Sequence, residues 1–401
     1  MKLLPALLVA VSVLHVVVLP EVAAQEVEAL PCPTAQEVSP TAFVMDSHLK
    51  KSITAAHTLA TGAGIKVAVI DTGVAQHPRL PPLIAGGDLI RAHQQSGVPG
   101  EFVDCDGHGT IVAGIIAARP NPGSGWPYDE SADDIMGIAP EADIIAIKQT
   151  SAYVRTTEDS LVGTLSTLAD SIHRAIDAGA HIINISVVSC LPGETSNPAQ
   201  FQPLNEALDR AEQSGVIVVA AAGNLSTTCE AGSTVYPAHS DTVLAVSARA
   251  NAHTIAAYSM PSTQQILSAP STVGAGLSPH DDGFASAIIT QSGPSPFEGT
   301  SFATPVVSAT AALLRQRFPT ATPLEIRNRI FQSIDPARGA IDPYRALSFQ
   351  SPGEPQLTEI ALNFPTAPDT STQTRGTVVI AVLCGLLFLG AVLMGLSKNR
   401  S

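Results

Sequence analysis

Between residues 66 and 306 the chain alternates two hydrophobic patterns. Short apolar, β-branched runs suit strands buried on both faces, and stretches with an apolar residue every third or fourth position suit helices that bury one stripe. Their alternation predicts a parallel sheet with crossover helices on both faces, an α/β fold. Strands are expected at residues 66–71, 143–148, 181–186, 216–221 and 242–247. Leu161, Leu165, Leu168, Ile172 and Ile176 mark an amphipathic helix over 160–178, which Gly179 ends. A second helix is expected over 204–213, stopped by Ser214 and Gly215. Stretches rich in Pro and Gly at 120–128 and 261–296 read as surface loops. No internal repeat interrupts this order.

The two ends carry a different pattern. Lys2 precedes an apolar run over residues 3–19 and then Val22-Ala23-Ala24, whose small residues suit a signal peptidase, so residues 1–24 are expected to be a signal peptide cleaved after Ala24. Residues 377–396 hold no charge and are long enough to cross the hydrocarbon core of a bilayer. Lys398 and Arg400 follow at once, which places residues 397–401 in the cytoplasm and the body of the chain outside it. Residues 346–376, rich in Pro, Ser and Thr, read as an extended linker to this transmembrane helix. The expected product is a single-pass protein of the cell membrane with one extracytoplasmic α/β domain.

Cysteine usage agrees with export. Cys32, Cys105, Cys190 and Cys229 all fall in the exported part, whereas Cys384 lies in the membrane span. Four cysteines allow three pairings, and the count alone does not choose among them. A formal net charge of -14 suits an exported domain and argues against a nucleic-acid partner, which calls for a basic face.

Three glycine-flanked settings carry the candidate chemistry. Ser301, in Gly299-Thr300-Ser301-Phe302-Ala303-Thr304-Pro305, precedes an apolar helical run, so it should sit at a helix N-terminus where free N–H groups favour developing negative charge. Pro305 is expected in that helix's first turn, where a missing N–H does no harm. A lone serine there is usually an N-cap. His108, in Asp106-Gly107-His108-Gly109-Thr110, opens another helical stretch and could act as a base. Asp71 ends the first apolar strand, and in open parallel sheets the ligand crevice lies outside the carboxyl ends of the strands. Asn224, after Ala221-Ala222-Gly223, follows another strand end and could aim its amide at the same crevice as an oxyanion donor. A serine that attacks, a histidine that carries the proton and an aspartate that orients the histidine form a nucleophilic triad. An aspartic protease shares the Asp71-Thr72-Gly73 signature, but that chemistry needs a second carboxylate of the same kind, and the chain has no second Asp-Thr/Ser-Gly.

Asp-Thr-Gly, Gly-His-Gly-Thr-x-Val-Ala-Gly and Gly-Thr-Ser-x-Ala-x-Pro, in that order, resemble the signatures of the subtilisin-like serine proteases. The resemblance also takes in Gly137-Ile138-Ala139-Pro140, the Ala-Ala-Gly-Asn run and Tyr236-Pro237-Ala238, and covers about residues 66–318. It implies Asp71, His108 and Ser301 as catalytic triad, Asn224 as oxyanion donor, and Tyr236 beside the primary specificity pocket. It implies endopeptidase activity on a protein or peptide substrate, with no cofactor and no metal assigned. The Asp104-Cys105-Asp106-Gly107-His108 sequence, the four exported cysteines, a short N-terminal segment and the C-terminal anchor together resemble the mycosins, membrane-anchored subtilases of actinobacterial type VII secretion systems. That resemblance implies a secretion-complex partner, and an N-terminal extension, residues 25–60, that wraps a peptidase domain at 61–345. About forty residues between Ala24 and Lys66 are too few for an independent foldase domain.

With the strands placed, Cys190 and Cys229 each follow a strand end on the crevice side, which favours a Cys190–Cys229 bond and leaves Cys32 to Cys105, beside the His108 turn. One departure from the subtilisin pattern is expected to matter. Ser186-Val187-Val188-Ser189 stands where many subtilisins have a glycine-containing substrate edge, so Ser186 and Val188 should line a narrower cleft. The competing expectation is a scaffold role in a secretion complex, with hydrolysis dispensable or occluded.

Overall fold

A computed structural model describes residues 27–91, 97–120, 133–156, 162–191, 198–261 and 265–350, and five positions between 381 and 387. Two compact units divide the chain, Met1–Ser351 and Pro352–Ser401. The expected signal peptide and residues 351–376 of the expected linker lie outside the described residues, as do most of the expected span and of the loop at 120–128; residues 346–348, expected to open the linker, instead close a helix that buries Ala346 and Leu347. Among the described residues no helix is long and apolar enough to cross a membrane.

In chain order the first unit contains β1 (Val27–Ala29), β2 (Thr34–Glu37), α1 (Ser47–His57), β3 (Lys66–Asp71), β4 (Ile84–Asp88), α2 (His108–Ala117), β5 (Asp143–Lys148) and β6 (Val154–Thr156). There follow α3 (Leu165–Asp177), β7 (Ile182–Ile185), β8 (Ser189–Leu191), α4 (Pro198–Gln213), β9 (Ile217–Ala221), β10 (Thr234–Tyr236) and β11 (Val243–Asn251). The remainder comprises β12 (Thr254–Ile255), β13 (Ser268–Pro270), β14 (Thr272–Val273), β15 (Gly276–Leu277), β16 (Phe284–Thr290), β17 (Gly293–Glu298), α5 (Thr300–Arg317), α6 (Pro323–Ser333) and α7 (Pro343–Ser348).

The main sheet runs β12-β11-β9-β7-β3-β5-β4, with β13 added beside β11. Its pairs are parallel except β11–β12. Alternate side chains serve two cores. Val67 and Val69 of β3, with Ile144 and Ile182, join α2 and α5 on one face, whereas Ala68, Ile70, Ile145 and Ile183 meet α3 and α4 on the other. Burial on both faces is why β3 and β5 read as unbroken apolar runs, and both fall at the limits the sequence predicts. Helix α3 begins after Thr164, whose hydroxyl accepts the Thr167 N–H, and gives way at Gly179 as expected. Helix α4 begins six residues earlier than the pattern suggests, with Pro203 inside it.

The stretch at 261–296 is not the loop that its Gly and Pro content implies. It holds β13 to β16 and most of β17, and β14, β17, β16, β15 and β2 form a second, antiparallel sheet. Pro294 and Pro296 are tolerated because β14 pairs only with Phe297 and Glu298, so the prolines face β16 alone among the named strands.

The segment before β3 is built into the first unit through a two-stranded sheet, the antiparallel sheet and the core. β1 pairs with β6, and β2 pairs with β16. Asp46 caps α1 by accepting the N–H groups of His48 and Leu49, and the helix buries Ile53 and Ala56 in the core shared with α2 and α5. Disulfides join Cys32 to Cys105 and Cys190 to Cys229, the expected pairs.

Candidate active site

Strand β3 ends on Asp71, which is fully buried and presents Oδ1 to His108 Nδ1 at 2.6 Å. The Thr72 N–H holds the same oxygen at 2.8 Å. His108 is the first residue of α2, preceded by Gly107 in the left-handed region at φ 69°. Helix α2 reaches the strand end because Gly109 has no side chain: a Cβ there would stand 2.0 Å from the Gly73 carbonyl oxygen.

Behind this pair lies Asp104, 3% exposed. Its carboxylate accepts from Thr72 Oγ1 (2.8 Å), Gly107 N (3.0 Å), Thr110 N (2.8 Å) and Thr110 Oγ1 (2.6 Å). Lys148, at the end of β5 and fully buried, donates to the Val103 carbonyl at 2.6 Å. Burial pushes the Asp104 carboxyl above its ordinary range, against these hydrogen bonds and the nearby Lys148 charge. Burial also raises Asp106, with the Asp104 charge adding to it. Burial of the imidazole opposes its charge, but the charge and hydrogen bond of Asp71, with Asp104 and Asp106 beyond, outweigh it and hold the His108 pKa above the ordinary histidine value.

Ser301 is the second residue of α5, at a helix start whose first N–H groups have no carbonyl four residues back to bond. The adjacent Phe302 ring lies 4.9 Å from the His108 ring, which brings the serine and the histidine into one site. The Ser301 hydroxyl donates to the Ser186 carbonyl at 2.8 Å, and no hydrogen bond joins it to His108 among the described residues. Asn224 follows β9. Its Oδ1 accepts from Thr300 N and Thr300 Oγ1, both at 3.0 Å, which fixes the amide and leaves Nδ2 as an uncommitted donor among the described residues. Gly299, at φ 147°, permits that approach, because a Cβ there would be 3.0 Å from Nδ2.

The residues expected to line the cleft are linked as well. β8 pairs with β10, Tyr236 opposite Ser189 and Val235 opposite Cys190. Tyr236 stacks on Phe201 with ring centroids 4.6 Å apart. Val188 packs half-buried against the core that holds α3 and α4. The Ser186 hydroxyl is buried and donates to the Ser301 carbonyl at 2.8 Å. Among the described residues no group of three or more His, Cys, Asp and Glu side chains is placed to hold a metal ion. Thr72 and Asp104 stood in the motifs without an assigned role, and Asn184 of β7, whose amide donates to the Ser186 hydroxyl at 2.9 Å, was not singled out by the sequence.

A buried carboxylate on an imidazole, a serine at a helix start and a side-chain amide beside it, carried on the ends of β3, α2, α5 and β9, match a known family. Residues 62–358 fit the description of the subtilase family of S8 peptidases. The chain belongs to the subtilase family. Within it the chain is 37% identical to Mycosin-4 of Mycobacterium tuberculosis over 289 residues, 68% of this chain and 60% of that relative. It therefore spans less than two thirds of the length of that subtilase. The crystal structure of MycP1 from the ESX-1 type VII secretion system covers 83% of this chain at 30% identity with a TM-score of 0.71, and 94% of that structure is matched. A chain in the structure of an intact ESX-5 inner membrane complex matches with a TM-score of 0.71 at 31% identity, over 93% of this chain and 95% of that one.

Proposed function

We propose that this subtilase is a serine endopeptidase in which Ser301 forms an acyl-enzyme, tethered outside the cytoplasmic membrane and working beside a type VII secretion complex. The observation that carries the chemistry is the 2.6 Å bond from His108 to a buried Asp71, with Ser301 and Asn224 on adjoining element ends. In the reaction, rotation about χ1 of Ser301 moves its hydroxyl from the Ser186 carbonyl to His108 Nε2, a side-chain motion fast compared with turnover. His108 takes the proton as Oγ attacks the substrate carbonyl, then returns it to the leaving amine; Asp71 orients the ring and stabilises the imidazolium. The Asn224 amide and the Ser301 N–H at the start of α5 receive the oxyanion. The segment at 186–188 and Tyr236 are the proposed substrate contacts. The segment at 25–60 is proposed to wrap the domain at 61–345, supported by the strand pairings of β1 and β2 and the Cys32–Cys105 bond.

Membrane attachment rests on the uncharged stretch at 377–396 and the basic residues after it. Cleavage of a mixed-sequence peptide library by the detergent-solubilised full-length protein, read by mass spectrometry, tests the activity. Hydrolysis that vanishes in Ser301→Ala supports the proposal, and hydrolysis unchanged in that variant contradicts the nucleophile assignment.

A second reading is a scaffold subunit whose hydrolysis is dispensable. It is favoured by the match over 93% of the chain to a component of the intact ESX-5 inner membrane complex. In a deletion strain, secretion restored by Ser301→Ala supports the scaffold, and secretion restored only by the wild type supports the peptidase.

A further inference from the structure

Pro305 stands at the sixth position of α5. An N–H there would bond the carbonyl four residues back, which is that of Ser301, and proline has no N–H to give. The Ser301 carbonyl is instead met by the Ser186 hydroxyl at 2.8 Å. Hydrogen-bond direction around Ser186 is settled by its other neighbour. Asn184 Nδ2, a donor only, gives a proton to Ser186 Oγ at 2.9 Å, so the hydroxyl's single hydrogen is free for the Ser301 carbonyl. The Asn184 amide is held in that sense because its Oδ1 accepts the Ser308 hydroxyl at 2.8 Å. Asn184 and Ser308 are fully buried and Ser186 is 3% exposed, so water does not substitute cheaply for any member of the chain.

We propose that Ser186 is a positioning residue whose hydroxyl replaces the helix N–H that Pro305 lacks and thereby fixes the Ser301 peptide. The proposal rests on Ser301 being the nucleophile. A relay runs from Ser308 on α5, through Asn184 and Ser186 at the end of β7, and back to Ser301 on the same helix. It sets the direction of the Ser301 carbonyl, and with it the Cα from which Oγ must reach both the Ser186 carbonyl and His108. The Ser186 main chain is a separate element of the site: its carbonyl accepts the Ser301 hydroxyl whatever side chain residue 186 bears.

The test is a rescue with the full-length protein. Rates of fluorophosphonate labelling at Ser301 and of peptide hydrolysis are compared for the wild type, Ser186→Ala, Pro305→Ala and the double variant. Ser186→Ala is expected to lower the maximal labelling rate and kcat by roughly tenfold, with the inhibitor constant and KM little changed. Pro305→Ala restores an N–H aimed at the same carbonyl, so the double variant is expected to return to within about threefold of Pro305→Ala alone. If Ser186→Ala fails to fold, a double variant that folds and labels still supports the proposal. A Ser186→Ala protein that labels at the wild-type rate, or a double variant as impaired as Ser186→Ala, overturns it. Labelling of Ser301→Ala, or none of the wild type, instead refutes the nucleophile reading on which it rests.

Discussion

Thr72 Oγ1 donates to Asp104 Oδ1 at 2.8 Å, and that bond ties the strand end presenting Asp71 to the turn presenting His108. The same hydroxyl accepts the Gly109 N–H at 3.1 Å, one of the N–H groups at the start of α2 that has no intrahelical acceptor. Thr72→Val keeps the shape and removes these two interactions, with the hydroxyl's 3.3 Å contact to Asp71 Oδ1, inside a buried site. We expect a loss of about 1–3 kcal/mol in denaturant unfolding, with a parallel fall in kcat as the Asp71–His108 geometry loosens. A variant with wild-type stability and kcat would show that the two loops are registered by other contacts.

The pH dependence follows from the raised His108 pKa. The base must be neutral to take a proton, so labelling of Ser301 is expected to rise with pH through an apparent pKa above the ordinary histidine value of about 6.5. Stability runs the other way. The contribution from the imidazolium is full below the unfolded-state pKa and is lost as pH rises through the higher folded value. Asp106→Asn can keep its oxygen on the Ala152 N–H and turn its NH2 to the Ser151 Oγ, and it removes a charge that supports the imidazolium, so the rising limb should move to lower pH. A limb that stays in place after this substitution contradicts the electrostatic account.

Asn224 is exposed, and among the described residues its Oδ1 is anchored to Thr300 alone. Asn224→Asp keeps the acceptor that the buried Thr300 N–H and hydroxyl need and removes the Nδ2 donor, so it should leave stability nearly unchanged while lowering kcat by roughly 10²–10³. Steady-state kinetics beside a thermal melt separates the two effects; an equal loss of both would assign Asn224 to the fold.

Ile53 of α1 is 1% exposed in the core shared with α2 and α5. Ile53→Ala is expected to cost about 2–5 kcal/mol, as a truncation in the main core does. Equilibrium unfolding that changes by under about 1 kcal/mol would mean that α1 docks as a detachable segment.

How much of this was legible depended on the range of the interaction. β3 and β5 were readable to the residue because strands buried on both faces need unbroken apolar runs. β4 was not, since Ile84-Ala85-Gly86-Gly87-Asp88 trades side chains for close packing: a Cβ on Gly86 would sit 2.4 Å from Ile147. Helix α6 carries its start signal in Thr322 and Glu325, a capping box written in four consecutive residues. Asp71, His108, Ser301 and Asn224 were accessible because local glycine and helix-start requirements surround each of them. The exchange between Ser186 and Ser301 was not, because it joins residues 115 positions apart through backbone carbonyls that any sequence supplies. Pro305 lies in the second turn and not in the first, where its sequence setting suggests it, and its missing N–H is made up by Ser186, the residue after β7.

The central claim is that Asp71, His108, Ser301 and Asn224 form one working acyl-transfer site. The most direct measurement is intact mass of the full-length protein after exposure to a fluorophosphonate, beside Ser301→Ala under the same conditions. One phosphonyl adduct on the wild type, localised to Ser301 and missing from the variant, is the predicted result. A folded wild-type protein that stays unlabelled, or a variant that labels equally, would contradict the account.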